Sequence, residues 1–165
     1  MKDETQERYV FWRMAHADFQ ECKATLELIS GITENQIKLA LVKSAIIAYC
    51  RPYSGSDPVN RKQKWKVDFT LVSDTQTHER VQVFRDNLIA HSSLKHKEPR
   101  LGKIGDIYPI SFKGFYFEDY MKLVEPLKNL CNDMISAMSK KISLYEKDNL
   151  DTLRTASSNP GVNLQ

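Results

Sequence analysis

Apolar residues recur at steps of three and four positions over most of the chain, the spacing that puts them on one face of an α-helix. The first such segment predicts a helix from about Thr5 to Ile29, which Ser30-Gly31 should end. His16 and Asp18 lie off the apolar stripe, so we expect both to be solvated. The stripe itself consists of Phe11, Ala15, Phe19, Cys22, Leu26 and Ile29.

The second predicted helix is apolar on nearly every side, which is typical of a helix enclosed by others. Thr33 and Gln36 predict a capping box at its start, and the run IKLALVKSAIIAYC follows. Arg51-Pro52 should end it, because the residue before a proline is pushed out of the α region. The next segment, residues 53–66, has the Ser, Gly, Pro and Asn content of a loop.

The end of this loop is basic and contains one aromatic residue, since Arg61, Lys62, Lys64 and Lys66 surround Trp65. Such a segment can hold a phosphate backbone and stack a base. The alternative is a solvated face with one packing tryptophan. From residue 66 to residue 72, apolar and polar positions alternate with the period of a short half-buried strand, although a helical approach to the next element is also open.

The third predicted helix, Ser73–Ser93, carries polar chemistry on the face that a helix normally buries. Ser73 and Gln76 predict a capping box at its start. Arg85 falls inside the apolar arc of this helix, and an unpaired buried charge costs several kcal/mol. Arg85 must therefore have a carboxylate, a wet cleft or an anionic ligand beside it. The arc is formed by Val81, Phe84 and Leu88, with Ile89 at its edge.

His91 lies seven residues after Phe84 and so projects in nearly the same direction from the helix. Asn87 lies one turn before His91 and can share its environment. Two interpretations of this group stay open. Arg85 can form an internal ion pair with an acid of another helix. Alternatively, Arg85 binds an anion while His91 exchanges protons near neutral pH.

The loop after His91, from Leu94 to Gly105, is strongly basic. It can neutralise RNA phosphates without recognising sequence, or it can be an ordinary solubilising loop. Its only acid is Glu98. Its basic residues are Lys95, His96, Lys97, Arg100 and Lys103.

Beyond this loop, apolar residues alternate about Lys113-Gly114 and predict a small β-hairpin that covers one end of the helices. The alternating residues are Ile110 and Phe112 before the turn and Phe115 and Phe117 after it.

The last long helix has the clearest stripe, close to a heptad seam that can serve the core or a second subunit. Pro126 should kink this helix or mark its start. Residues 151–165 have the composition of a disordered tail. The stripe consists of Tyr120, Val124, Leu127, Cys131, Met134, Met138 and Tyr145.

These elements predict an all-α fold, a four-to-five-helix up-and-down bundle forming one domain over residues 1–150, with a β-hairpin or extended loop before the last long helix. The 24 basic and 21 acidic residues of the 165-residue chain make it mildly basic, so net charge alone gives no strong nucleic-acid footprint. Cys22, Cys50 and Cys131 lack metal-ligand spacing and are predicted to be reduced core thiols.

Targeting and cofactor motifs are not evident. KDETQERY after Met1 has no apolar region typical of a signal peptide, and no apolar run is long enough to span a bilayer. We therefore expect a soluble, cytoplasmic protein. The sequence has no Gly-rich phosphate loop and no constellation of transition-metal ligands, and we predict no cofactor.

The run Arg85-Asp86-Asn87-Leu88-Ile89-Ala90-His91-Ser92 resembles the signature of the HEPN superfamily, the all-helical "higher eukaryotes and prokaryotes nucleotide-binding" domains. Their motif is an Arg, usually followed by a polar residue, with a His after a gap of four to six residues; this chain has five between them. It looks most like small bacterial proteins of the abortive-infection type, in which Ala-His-Ser ends a long central helix. The run Cys-Arg-Pro-aromatic at residues 50–53 resembles the same subgroup.

The resemblance implies a metal-independent endoribonuclease, acting as a toxin or phage-defence effector, in which two protomers bring two copies of Arg85 and His91 into one cleft. Asn87 and Asp86 would orient these side chains, although Asp86 stands where relatives frequently have Asn. It also implies a homodimer, an RNA substrate, and an antitoxin protein that restrains the site. RNA-binding residues would be Lys95, Lys97, Arg100, Lys103 and Arg51.

Two other functions remain open from the sequence. One is a non-catalytic HEPN-like module that binds a nucleotide, RNA or a protein partner and keeps Arg85 as an anion anchor. The carboxylate of Asp86 favours this alternative, since it offsets the positive charge that a cleavage transition state requires. The other is a purely structural helical protein with Arg85 locked in an internal ion pair.

Overall fold

Long amphipathic segments form the α-helices of this protein, which pack around one apolar core in a computed structural model that describes residues 4–58, 64–89, 100–111 and 115–157. The all-α class is confirmed for this part of the chain. Helix α1 packs against α2 and α5, and α3 contacts both α2 and α5. The helices are α1 (Glu4–Leu28), α2 (Asn35–Ser54), α3 (Thr75–Ile89), α4 (Phe117–Met121), α5 (Val124–Asp148) and α6 (Leu150–Ser157).

The core contains the two stripes that the sequence predicts most clearly. All six residues of the α1 stripe are buried, and each large apolar side chain contributes roughly 1.5–3 kcal/mol by leaving water. Cys22, Cys50 and Cys131 are free and buried, as predicted. From α5 the core receives Leu127, Leu130, Cys131, Met134, Met138 and Ile142.

Helix α2 differs from its prediction at both ends. It begins at Asn35 after the N-cap Glu34, whose side chain makes no capping hydrogen bond, so the Thr33 capping box is wrong. Pro52 lies inside the helix rather than ending it. It removes one hydrogen bond near the end of the helix, and its ring is buried. The helix instead ends before Gly55, whose φ of 88° favours glycine.

Helix α2 is also not enclosed on every side. Ile37 and Ile47 are exposed, whereas Val42, Ile46 and Tyr49 are fully buried. One face of the helix therefore remains open even though its sequence is apolar nearly all round.

The segment before α3 does not form the predicted strand. Phe69–Leu71 is one turn of 3₁₀ helix, in which Asp68 Oδ1 accepts a hydrogen bond from the Thr70 N–H at 2.9 Å. Val67 and Val72 are buried, whereas Phe69 is exposed, so the alternation does not correspond to a half-buried strand. The hydrogen bond to the Asp68 side chain stabilises this 3₁₀ turn in place of an extended strand.

Helix α3 begins at Thr75, and its cap is Asp74 rather than Ser73. The Thr77 N–H donates to Asp74 Oδ1 at 3.0 Å, and the hydrogen bonds from Thr77 lower the pKa of Asp74. A carboxylate at this position also interacts favourably with the helix dipole. The Ser73 hydroxyl instead donates to Asp133 Oδ2 at 2.7 Å, which links the segment before α3 to α5.

Two short strands lie between α3 and α4. Strand β1 (Arg100–Leu101) pairs with β2 (Ile110–Ser111) in antiparallel register. The predicted hairpin about Lys113-Gly114 is wrong in its second half, because Phe117 begins α4 and the Tyr116 N–H donates to Asp119 Oδ2 at 3.1 Å in the cap of that helix. Residues 112–114 lie outside the described residues.

The C-terminal part of the chain is more helical than predicted. Pro126 lies in the first turn of α5 and so marks its start without interrupting it. Helix α6 contacts α1 and extends to Ser157, into the segment predicted as a disordered tail; residues 158–165 lie outside the described residues. Over the described ranges, no helix has both the length and the apolar character needed to cross a bilayer.

Candidate functional site

The packing of the apolar face of α3 determines where the polar side chains of this helix lie. Val81 and Phe84 are buried, and the Phe84 ring stacks on Phe115 with 3.7 Å between centroids. The Tyr120 ring meets Phe84 edge-on at 4.9 Å. These contacts fix the orientation of α3 about its own axis. The residue after Phe84 therefore lies at the border between the core and solvent.

Arg85 occupies that border position and bridges α3 to the end of α2. Its Nε and Nη2 donate to Asp86 Oδ1 at 2.9 and 2.7 Å, and its Nη1 donates to Ser54 Oγ at 3.0 Å. The Arg85 side chain is 23% exposed and that of Asp86 is 48% exposed. A carboxylate of the same chain therefore contacts the guanidinium, but the pair is open to solvent.

Ser54 can reach Arg85 because α2 continues through Pro52. Its hydroxyl donates to the carbonyl of Cys50 at 3.0 Å while it accepts from Arg85, so both hydrogen-bonding roles of the hydroxyl are used. The sequence interpretation that ended α2 at Pro52 gave no reason to place Ser54 in the site.

Of the other predicted catalytic residues, the structure describes Asn87 but not His91. Asn87 Nδ2 donates to the carbonyl of Val83 at 2.9 Å, which ties the amide to its own helix. The described hydrogen bonds therefore connect Asp86, but not Asn87, to Arg85. His91 lies outside the described residues.

One of the predicted RNA-binding residues, Arg51, is paired with acidic residues of α1. Its guanidinium forms ion pairs with Asp18 at 3.3 Å and with Glu21. Asp18 is thus half-buried rather than solvated; burial raises its pKa, against the lowering effect of the Arg51 charge. His16 is also engaged, with Nε2 at 3.0 Å from Ser139 Oγ of α5.

The remaining basic candidates lie in the loop after α3. Lys103 is exposed and its Nζ lies 5.8 Å from the centroid of the Tyr108 ring. Lys95 and Lys97 lie outside the described residues, and only the backbone of Arg100, in β1, is described.

A buried polar pair that was not predicted joins the same helix to α2. His78 is 5% exposed, and its Nδ1 lies 2.7 Å from Tyr49 Oη of α2. The Tyr53 and Phe69 rings meet the imidazole edge-on at 4.6 and 5.1 Å. Burial lowers the pKa of His78 and raises the pKa of Tyr49, so both groups are uncharged near neutral pH.

The signal for this pair was present in the sequence. His78 precedes Val81 by three residues and Arg85 by seven, which places all three on one face of α3. The histidine belongs to the stripe that packs against α2.

Trp65 takes the packing role left open by the sequence. It is buried, and its Nε1 donates to Glu7 Oε1 at 3.0 Å. Base stacking on this ring is therefore not supported. Lys64, beside it, forms an ion pair with Asp57 at 3.0 Å.

Among the residues that the structure describes, no three His, Cys, Asp or Glu side chains lie close enough together to hold a metal ion. Comparisons of the chain with protein-family models, with curated proteins and with solved structures give no match.

Proposed function

We propose that this chain is a metal-independent endoribonuclease of the HEPN kind, with Arg85 and His91 as its catalytic residues. The observation that supports the proposal is the open environment of Arg85, whose side chain is 23% exposed although Asp86 and Ser54 hold its guanidinium. Arginine has five N–H groups, so hydrogen-bonding capacity remains beyond these contacts. A phosphate can therefore be bound at a cation that is already oriented.

The proposed reaction is a transesterification within RNA. The 2′-hydroxyl attacks the adjacent phosphorus while His91 of one protomer accepts its proton. The bond from phosphorus to the 5′-oxygen breaks, and the leaving oxygen takes a proton from His91 of the other protomer. The products are a 2′,3′-cyclic phosphate end and a 5′-hydroxyl end. Arg85 binds the non-bridging oxygens, on which negative charge increases in the transition state.

Asp86 and Asn87 are positioning residues in this proposal. Asp86 holds Arg85 through two hydrogen bonds, and Asn87 would orient His91. The basic residues Lys95, Lys97, Arg100 and Lys103 would bind the RNA backbone. We leave Arg51 out of this set, because its charge is paired with acids of α1.

The proposed assembly follows from the HEPN resemblance. A homodimer would bring both copies of the site into one cleft, and an antitoxin partner would restrain a ribonuclease that acts as a toxin or phage-defence effector.

A second candidate function is a non-catalytic module that binds RNA or a nucleotide through Arg85. The two hydrogen bonds from Arg85 to Asp86 favour it, because a carboxylate at 2.7 Å offsets much of the positive charge available to a developing phosphorane. A parent protein that retains RNA without releasing products would select this candidate.

The test compares Arg85→Ala and His91→Ala with the parent in an RNA-cleavage assay in the presence of a chelator. We expect each variant to lose at least about 100-fold in rate and the parent to leave 2′,3′-cyclic phosphate ends. Arg80→Ala is the matched control, since Arg80 is an exposed arginine of the same helix. Cleavage by both variants at the parent rate would overturn the proposal.

A further inference from the structure

A second group of cationic side chains surrounds a cavity between α1, residues 64–71 and α5. The cavity has a volume of about 320 Å³, which is within the range of small-molecule sites. None of its lining residues belongs to α3, so it is distinct from the site around Arg85. The polar and aromatic lining consists chiefly of Arg8, Trp12, Lys64, Trp65, Lys66 and Lys141.

Two of these cations lie over aromatic rings. Arg8 Cζ is 5.2 Å from the centroid of the Trp65 ring, and Lys141 Nζ is 4.9 Å from that of Trp12. Trp65 is fixed by its hydrogen bond to Glu7, and Trp12 packs edge-on against Tyr145. The rings therefore orient the cations before any ligand arrives, by cation–π interaction.

The charge of this cavity is only partly balanced by acids. Arg8 pairs with Glu4, but its Nε is buried and, within the described ranges, has no hydrogen-bond partner. Lys64 pairs with Asp57. The hydrogen bonds from Thr70 and the charge of Lys141 lower the pKa of Asp68. Lys66 forms no ion pair within 4 Å of a described carboxylate. The carboxylate in the lining is Asp68, and its Oδ1 already accepts the Thr70 N–H. Positive charge is therefore in excess around this cavity.

We propose that this cavity binds a small molecule through a phosphate or diphosphate group. Lysine ammonium groups and an arginine fork match the charge and the oxygen geometry of that group. Arg8 and Lys141 lie over the two tryptophan rings, so recognition depends on charge rather than on base stacking. A volume of about 320 Å³ suits a compact anion better than the backbone of an RNA strand. The site is independent of the proposed ribonuclease.

Tryptophan fluorescence reports on this cavity directly, because both tryptophans of the chain line it. The full chain is titrated with pyrophosphate and with inorganic phosphate, and NaCl holds the ionic strength constant. We expect a saturable change in emission with pyrophosphate, and at least tenfold weaker binding in Lys66→Gln and in Lys141→Gln. Lys140→Gln is the matched control, because Lys140 is the neighbouring lysine on α5 and does not line the cavity.

Arg85→Ala separates this proposal from the proposed function, since it should bind pyrophosphate as the parent does even where RNA cleavage is lost. Three outcomes would overturn the proposal: an emission change no larger than NaCl alone produces, parent-like binding by the double variant Lys66→Gln, Lys141→Gln, or a response to a single-stranded oligonucleotide without one to pyrophosphate or phosphate. Circular dichroism melting of each variant verifies that it is folded.

Discussion

Helix α3 presents two polar side chains to α2, and their surroundings differ. His78 and Arg85 are seven residues apart and so lie on the same face. His78 is sealed, 5% exposed, with Tyr49 as its hydrogen-bond partner. Arg85 is 23% exposed and pairs with Ser54 and the half-exposed Asp86.

The difference follows from which group can give up its charge. Imidazole can become neutral, and burial lowers the pKa of His78 so that it does. A neutral group with a hydrogen-bond partner is tolerated in a core. Guanidinium stays charged, so its burial would require an ion pair sealed from water. Arg85 lies where α2 ends and solvent enters, so the His78 end of α3 is closed to solvent and the Arg85 end is open to it.

The largest expected effect on the free energy of unfolding is at the buried His78 end of α3. Tyr49→Phe removes the hydroxyl and leaves the imidazole of His78 buried without that partner, so we expect the free energy of unfolding to fall by about 1–3 kcal/mol. Tyr53→Phe is the matched comparison, because it removes a second buried tyrosine hydroxyl beside the same imidazole, one that is not hydrogen-bonded to His78. It should cost less stability than Tyr49→Phe. Urea denaturation measures the free energy of unfolding of both variants. Equal losses of stability would show that the hydrogen bond to His78 is not the cause of the loss in Tyr49→Phe.

The next effect is a dependence of stability on pH. Burial lowers the pKa of folded His78 below 6.5, against the raising effect of Glu79, while the unfolded chain keeps the ordinary value. Between the two values the unfolded state binds more protons. The free energy of unfolding should therefore fall as pH decreases below about 6.5, by at most about 1.4 kcal/mol per pH unit.

His78→Gln isolates this contribution, because glutamine does not titrate. The variant should lose stability less steeply than the parent below about pH 6.5, while His16, whose pKa burial also lowers, remains in both proteins. Urea denaturation at several pH values gives the two slopes. Parallel curves would mean that His78 is not a neutral core residue.

The sequence predicted the helices best where a long apolar stripe meets a single core. All six residues of the first stripe are buried, and so are five of the seven in the last stripe, in which Val124 and Tyr145 are only partly buried. Helix boundaries were less predictable, because they depend on one or two local hydrogen bonds. Asp74 caps α3 in place of Ser73, and α2 continues past Pro52 because the lost hydrogen bond lies near its end.

For the site, the sequence required only that Arg85 have a partner. It could not choose between acids of other helices and its own neighbour Asp86, since that choice depends on the rotamer and on where solvent enters. Ser54 was missed because it depends on the end of α2. The sequence shows that His78 lies on the apolar face of α3 but not that it is buried, since its hydrogen-bond partner Tyr49 comes from another helix.

The smallest expected change in stability is at the solvent-exposed Arg85 end of α3. Asp86→Asn removes an ion pair that is half exposed, so the free energy of unfolding should change by no more than about 0.5 kcal/mol. RNA binding should instead strengthen severalfold, because the charge of Arg85 is no longer offset by a carboxylate. Glu79→Gln removes an exposed acid of the same helix away from Arg85 and controls for net charge.

Chemical denaturation and RNA binding at one fixed salt concentration measure the two effects of Asp86→Asn. If the variant instead loses more than about 1 kcal/mol of stability and gains no affinity for RNA, Arg85 and Asp86 form a structural pair like the one at His78. The contrast between the two ends of α3 would then disappear, and with it the reason to regard Arg85 as a ligand-binding residue. If stability holds and affinity rises, Asp86 restrains a cation that is available to phosphate.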